Sequence, residues 1–258
     1  LVAGAITNGE LEILDANAAV VATTATDGGG VYSVSVPANA TVSVRVKAQL
    51  LQSGSGASWD VSVRDNTQGD ALYSMDSGNF STGNATLTRN VHAPSGWNGS
   101  SYASARVAGP FAVLDTVYAT QAKVLSVAPS TAFPPLRVFW SVNNVPASGN
   151  PALGQIGTTF FTSSSAAGAV RAIYVLGKEN VDTDEYDNSV VAHEWGHYYQ
   201  SAFSRDDSPG GSHSLSDLLD RRLAFSEGWG NAWSGIALAR SNYTDSAGAN
   251  QALGSHLD

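Results

Sequence analysis

A chain of 258 residues, 43 % of them hydrophobic and 14 % charged, is long enough for one large domain or a small module joined to a medium one, and too apolar to be disordered. A net charge of −9 with no Lys/Arg run gives a field that repels nucleic acid and anionic membranes, so neither is an expected partner. Because there is no cysteine, disulfides, thiol nucleophiles and Cys-bound zinc are excluded, and any metal ligand must be His or a carboxylate.

Short alternating strands are expected from Ile13 to Val46, with Asp27-Gly28-Gly29-Gly30 as a turn before the runs Val31–Val36 and Val42–Val46. The stretch VVATTATDGGGVYSVSVPANATVSVRVKA resembles carboxypeptidase-regulatory-like domains, small prealbumin-like or Ig-like β-sandwiches attached to bacterial exported enzymes. Further β-like runs at Trp59–Val63 and Ala85–Val91 extend that sandwich or bridge away from it, so residues 1–95 form the expected β-rich N-terminal module.

The texture changes near Ser101. Val107, Phe111, Leu114, Val117 and Tyr118 fall near helical spacing, and Gly109-Pro110 opens a helix expected over Phe111–Leu125. Three apolar runs bounded by breakers, Leu136–Val142, Ile156–Phe161 and Ala172–Leu176, are expected as strands of one sheet. An acidic turn, DTDEYD, precedes a helix over Asn188–Phe203 that Asp187 or Asn188 could cap. A Gly-rich loop at Pro209–Ser212 then leads to a second helical region over Leu215–Ala239. The expected class is α+β.

Chemistry concentrates in VVAHEWGHYYQ, where His193-Glu194-Trp195-Gly196-His197 fits H-E-x-x-H. Residues four apart share a helix face, so His193 and His197 can aim a ring nitrogen each at one zinc ion. Glu194, one step along, can reach a metal-bound water without ligating the metal, which is the position of a general base. The competing reading is a chance match on an ordinary amphipathic helix. In RRLAFSEGWGNAWSGIAL, Glu227 lies amid apolar residues, and a buried carboxylate needs a cation or strong donors. Zinc already held by two imidazoles satisfies it, and three protein ligands leave one position open; pairing with Arg221 or Arg222 is the alternative. His213 and Asp217 are rivals for third ligand.

H-E-x-x-H on one helix with Glu-Gly-x-(Ala/Gly) on a later one resembles the gluzincin branch of zinc peptidases, the group that includes thermolysin. The resemblance spans about Ser101 to Ala239. It implies a zincin-like catalytic domain over 96–258 with a twisted mixed sheet, GQIGTTFF as the antiparallel edge strand along which peptide substrate lies, and RAIYVLG as the strand feeding the active-site helix. It also implies a further helical subdomain over the cleft, so the domain reads as C-terminally incomplete. Asn231 stands where thermolysin-like enzymes carry an Asp partner for a zinc-bound His, and its amide oxygen can accept the same N–H. The longer gap between His197 and Glu227 suggests an inserted loop. Gln200 and Phe203 occupy positions where metzincins need Gly and a third ligand, which excludes that branch.

The expected activity is zinc-dependent peptide-bond hydrolysis through a water activated by Glu194, with peptide or protein as substrate and His213 or Arg205 as donor to the oxyanion. A different class, a surface adhesion or glycan-binding protein with an inactive zincin-like domain, is the alternative. Asp182, Asp184, Glu185 and Asp187 read as a solvated acidic turn; a structural Ca²⁺ is the other reading, although their spacing misses the EF-hand pattern. Tyr198, Tyr199 and Trp229 are expected in the core. No apolar stretch approaches the ~20 residues of a membrane span. A start at Leu1, as in a processed chain, and a Gly/Ser/Thr/Asn/Ala-rich composition with three lysines point to an extracytoplasmic protein.

Overall fold

The structure is a computed structural model and describes residues 6–164, 170–214 and 217–257. It is a mixed α+β fold in which the described residues form three α-helices and two sheets. Strand β1 (Gly9–Asp15) pairs antiparallel with β2 (Val20–Ala25) on one side and β3 (Thr41–Gln52) on the other, burying Leu11 and Ile13 at a period of two.

Strand β3 changes partner along its length. Its last residues, Gln49–Gln52, pair with β4 (Trp59–Asp65), which carries β5 (Ala71–Leu72) on its far end. Earlier residues pair with β6 (Ser74–Asp76) and β7 (Phe80–Ser81). From β4 the pairing turns parallel. Helix α1 (Gly109–Leu125), opened by Pro110, precedes β8 (Leu136–Trp140), which runs parallel to β4. Strand β9 (Phe160–Thr162) forms the antiparallel edge beside β10 (Arg171–Val175), itself parallel to β8, so the order is β2-β1-β3-β4-β8-β10-β9.

Sheet and core both run across the expected boundary at residues 95 and 96. One apolar cluster extends from Leu11, Val44 and Val61 through Val113 and Val117 of α1 to Val191, Trp195 and Tyr198. The other face of β8 and β10 is covered too, by a cluster of Phe139, Ala172 and Tyr174 with Ile156 and Leu176. Burial on both faces explains why these strands read as continuous apolar runs.

Two expected strands are corrected. Val31–Val36 alternates in burial and sets Tyr32, Val34 and Val36 against the core, but it has no ladder; nor does Ala85–Val91. Val31–Val36 lies beside the edge strand β2, tied to it by the Thr24 hydroxyl on the Ser33 carbonyl at 3.2 Å and to the turn by the Asp27 N–H on the Val31 carbonyl at 2.8 Å, and packs as extended chain. The expected strand over Ile156–Phe161 shrinks to β9 because Gly157 takes φ 81°, outside any strand conformation.

After β10, β11 (Gly177–Lys178) and β12 (Asp182–Thr183) lead into α2 (Asn188–Phe203), and α3 (Arg221–Leu238) is followed by the hairpin β13 (Tyr243–Ala247) and β14 (Leu253–Leu257). These short strands make a second sheet, β11-β12-β13-β14. The expected start of the last helix at Leu215 lies outside the described residues; the helix begins at Arg221, where the Asp220 side chain accepts from the Arg222 N–H. No helix among the described residues is long and apolar enough to cross a membrane.

Candidate metal centre

Helix α2 stands with Val191, Trp195 and Tyr198 in the core, and Tyr198 donates its hydroxyl to the Pro134 carbonyl at 2.6 Å. Its N-terminus is not capped as expected. The Asp187 carboxylate instead accepts from Ser246 N–H and hydroxyl at 2.9 and 2.8 Å, and Asn188 Nδ2 donates to Thr116 Oγ1 at 2.5 Å. Both side chains therefore tie the helix start to its neighbours.

Helix α3 meets α2 where each carries a glycine. A Cβ on Gly196 would lie 3.3 Å from Gly230 Cα, and one on Gly230 would lie 2.7–2.8 Å from three atoms of the His193 ring. A block of aromatic rings locks the approach: Trp233 stacks on Trp195 and Tyr199 at 5.6 Å each and on Trp229 at 5.7 Å. The Trp229 indole N–H donates to the Gly196 carbonyl at 2.9 Å. Glu227 and Asn231, one turn apart on α3, are thereby laid on the histidines of α2.

The Nε2 atoms of His193 and His197 are 3.0 Å apart, and Glu227 Oε2 lies 3.1 Å from the first and 3.5 Å from the second. Their remaining ring nitrogens fix the tautomers. His193 Nδ1 sits 2.9 Å from Asn231 Oδ1, an acceptor, so Nδ1 carries the hydrogen. Ser226 Oγ donates to Gln200 Oε1 at 3.0 Å and lies 3.2 Å from His197 Nδ1, which must then donate to it. Both Nε2 atoms consequently present lone pairs to one point that a carboxylate oxygen also faces. That arrangement repels itself unless a cation or protons sit among the three. Burial opposes charge on His193, but Glu227 outweighs it and raises the pKa, while the same imidazoles hold Glu227 well below the usual carboxylate range against its own burial.

Glu194 lies beside this point, 9 % exposed. Burial raises its pKa, and its Oε2 accepts the Phe161 N–H of β9 at 2.8 Å. Its other oxygen has no hydrogen-bond donor among the described residues. His213 comes to the site, Nε2 3.2 Å from Glu227 Oε2, but stands outside the three residues whose ligand atoms lie within 4.8 Å of one another. Arg205 does not come: its side chain is 86 % exposed and pairs with Asp207. Asp217 accepts from the Ser214 N–H instead, and Arg222 pairs with Asp220 rather than Glu227.

Four contributors were not read from sequence. The Phe161 N–H is backbone and leaves no letter; Ser226 and Gln200 are ordinary polar residues whose roles exist only once α2 and α3 are packed. Tyr243 of β13 sets its ring edge-on to His193 at 6.1 Å, across a sequence gap with no motif.

The acidic turn is not solvated. Asp184 and Glu185 are 3 % and 1 % exposed: Asp184 takes the Thr159 hydroxyl, and Glu185 lies under Arg106, Trp140 and the first residue of α1, Gly109. Glu185 pairs with Arg106 at 2.5 Å and accepts the Trp140 indole N–H at 3.1 Å; burial still pushes its pKa up to about 7 against the pull of Arg106. Compared with known protein families, curated proteins and solved structures, the chain matches none.

Proposed function

We propose that this chain is a zinc-dependent peptidase of gluzincin-like design, with His193, His197 and Glu227 as metal ligands and Glu194 as general base. The observation that carries the reading is the convergence of two imidazole lone pairs and one carboxylate oxygen on a single point, with a second carboxylate held beside it by a backbone N–H. The donors fit the ion. Ligand atoms about 2.0–2.2 Å from a tetrahedral zinc lie about 3.3–3.6 Å from each other; the His197–Glu227 spacing of 3.5 Å falls in that range, and the other two, 3.0 and 3.1 Å, need to open by only a few tenths of an ångström. Oxygen-loving cations are disfavoured by two imidazoles, and thiophilic ones by the absence of sulfur.

Zinc, when bound, supplies a Lewis acid that polarises the scissile carbonyl and brings the pKa of water toward ~7. The protein's own groups do the rest. Asn231 and Ser226 hold each imidazole in the tautomer whose Nε2 is free to ligate. Glu194, its Oε2 pinned by Phe161, takes a proton from water with the other oxygen and passes it to the leaving amine; its raised pKa suits both halves of that transfer. Because the pinning N–H belongs to the edge strand β9, a peptide added alongside that edge would be registered against the base. On this reading His213, next to Glu227, rather than Arg205 is the donor available to the oxyanion. The three helices and the strands β8, β10 and β9 of residues 96–258 support the zincin-like reading of that part of the chain. The composition suits an extracytoplasmic enzyme.

The test is Glu194→Gln. Purified protein is expected to retain one zinc per chain and to lose peptide hydrolysis by at least ~10²–10⁴-fold, the range for a positioned acid–base group. Undiminished turnover, or no bound zinc in the wild-type protein, would overturn the assignment.

A further inference from the structure

Five acidic side chains crowd the corner between β12, the start of α2 and β13, and they divide into two kinds. Glu185 is matched by Arg106 and Trp140, and Asp187 by two donors of Ser246. Asp182, Asp184 and Asp245 are only partly matched. One carboxylate oxygen from each lies within 4.8 Å of the other two. Asp184 is 3 % exposed, and its Oδ2 takes the Thr159 hydroxyl. Its Oδ1 and that of Asp182 are buried and meet no donor. Among the described residues no Lys or Arg pairs with any of the three.

We infer that Asp182, Asp184 and Asp245 form a second cation site, distinct from the His193–His197–Glu227 centre, that takes calcium. Carboxylates at this spacing, one buried and two half-buried, repel, and a buried acceptor without a donor is costly, so the site needs positive charge at its middle. A ligand set made only of carboxylate oxygens is that of a hard cation and not of zinc. Calcium tolerates an irregular shell of six to eight oxygens, which backbone carbonyls and water complete around three carboxylates.

The site has a structural task. The β13–β14 hairpin joins β12 through a single register pair, Asp182 with Ala247. A cation bridging Asp182 and Asp184 to Asp245 would reinforce the few hydrogen bonds that also cross that seam, Gly248 N–H to the Val181 carbonyl at 2.8 Å, Asn250 N–H to Asn180 Oδ1 at 3.1 Å and Gln251 Nε2 to Thr183 Oγ1. The hairpin in turn presents Tyr243 to His193 and Ser246 to Asp187 at the head of α2, so calcium would hold the wall of the zinc centre in place.

The experiment uses the full chain, stripped with EGTA and then given calcium alone. Isothermal titration should show one equivalent bound, and at about a hundredfold excess over Kd the melting temperature should rise by about 5–10 °C. Asp184→Asn and Asp245→Asn should each remove that rise, while His193→Ala should keep it, which separates this site from the zinc centre. In EGTA, Asp184→Asn should melt no lower than the wild type, because neutralising one carboxylate relieves the repulsion. If Asp184→Asn does not fold, the more exposed Asp245→Asn carries the comparison. Absence of both calcium heat and a rise in the wild type, as expected if Asp182 and Asp184 merely share a proton, would overturn the inference. So would a rise undiminished in the Asn variants.

Discussion

Replacing Gly230 with Ala tests whether the close crossing of α2 and α3 assembles the proposed metal centre. The added Cβ would lie 2.7 Å from Cε1 and 2.8 Å from Nδ1 and Nε2 of His193. Since carbon contacts settle near ~3.5–4.0 Å, the ring or the helix must move by about 0.7–1 Å. Such overpacking costs about 1–3 kcal/mol, against the ~1 kcal/mol that Ala gains over Gly in a helix. Net stability should fall by up to about 2 kcal/mol, or several degrees in Tm. The larger effect is on geometry: the displaced imidazole loses both its 3.1 Å approach to Glu227 and its 2.9 Å bond to Asn231. Peptide hydrolysis at saturating zinc should drop by ~10²-fold or more, as for a catalytic group misplaced by an ångström. Gly228→Ala is the control. Nothing lies within 4 Å of a Cβ there, so helix propensity alone should raise Tm slightly and leave activity intact. If Gly230→Ala matched Gly228→Ala in stability and kept full activity, the packing argument would be wrong.

Two further outcomes follow from the shell around the centre. Asn231→Ala should weaken zinc binding by about 10–100-fold in competition with a chromophoric chelator, and Asn231→Asp should restore or exceed wild-type affinity, since a carboxylate accepts the imidazole N–H more strongly. Burial raises the Asp187 carboxyl from 3.8 to about 6 although Ser246 donates to it. A folded pKa above the unfolded one means stability that is fully present below pH ~4 and lost as pH rises through ~6. In denaturant titrations with EGTA present, Asp187→Asn should therefore flatten the decline between pH 4 and 7 by on the order of 3 kcal/mol. An unchanged slope would mean that Asp187 is ionised throughout.

Much of the candidate site is legible because its logic is local. His193, Glu194 and His197 lie within a single stretch of helix, and 3.6-residue periodicity places both rings on one face wherever the helix ends up. Helices α1 and α2 were expected within two residues of where they lie, since Pro110 and the spacing of Phe111, Leu114 and Val117 act over a turn or two. The strands β8 and β10 were likewise visible as apolar runs. Val31–Val36 shows the limit: period-two burial is local, but a ladder needs a partner strand in register, and the segment lies beside the edge strand β2 without pairing with it.

What the sequence determined by itself was the chemistry available: no thiols, two imidazoles at helical spacing, a flanking acid, and a distant Glu among aromatics that needed a cation or donors. Only the tertiary structure decided which of the scattered groups meet. It laid Glu227 and Asn231 on the histidines through a contact between two glycines and brought the Phe161 N–H to Glu194. It kept Arg205 at the surface, and it split the acidic turn by pairing Glu185 with Arg106 while adding Asp245 from 61 residues beyond Asp184. Convergence across such separations is set by burial and steric fit summed over the whole core, and no local pattern of residues encodes it.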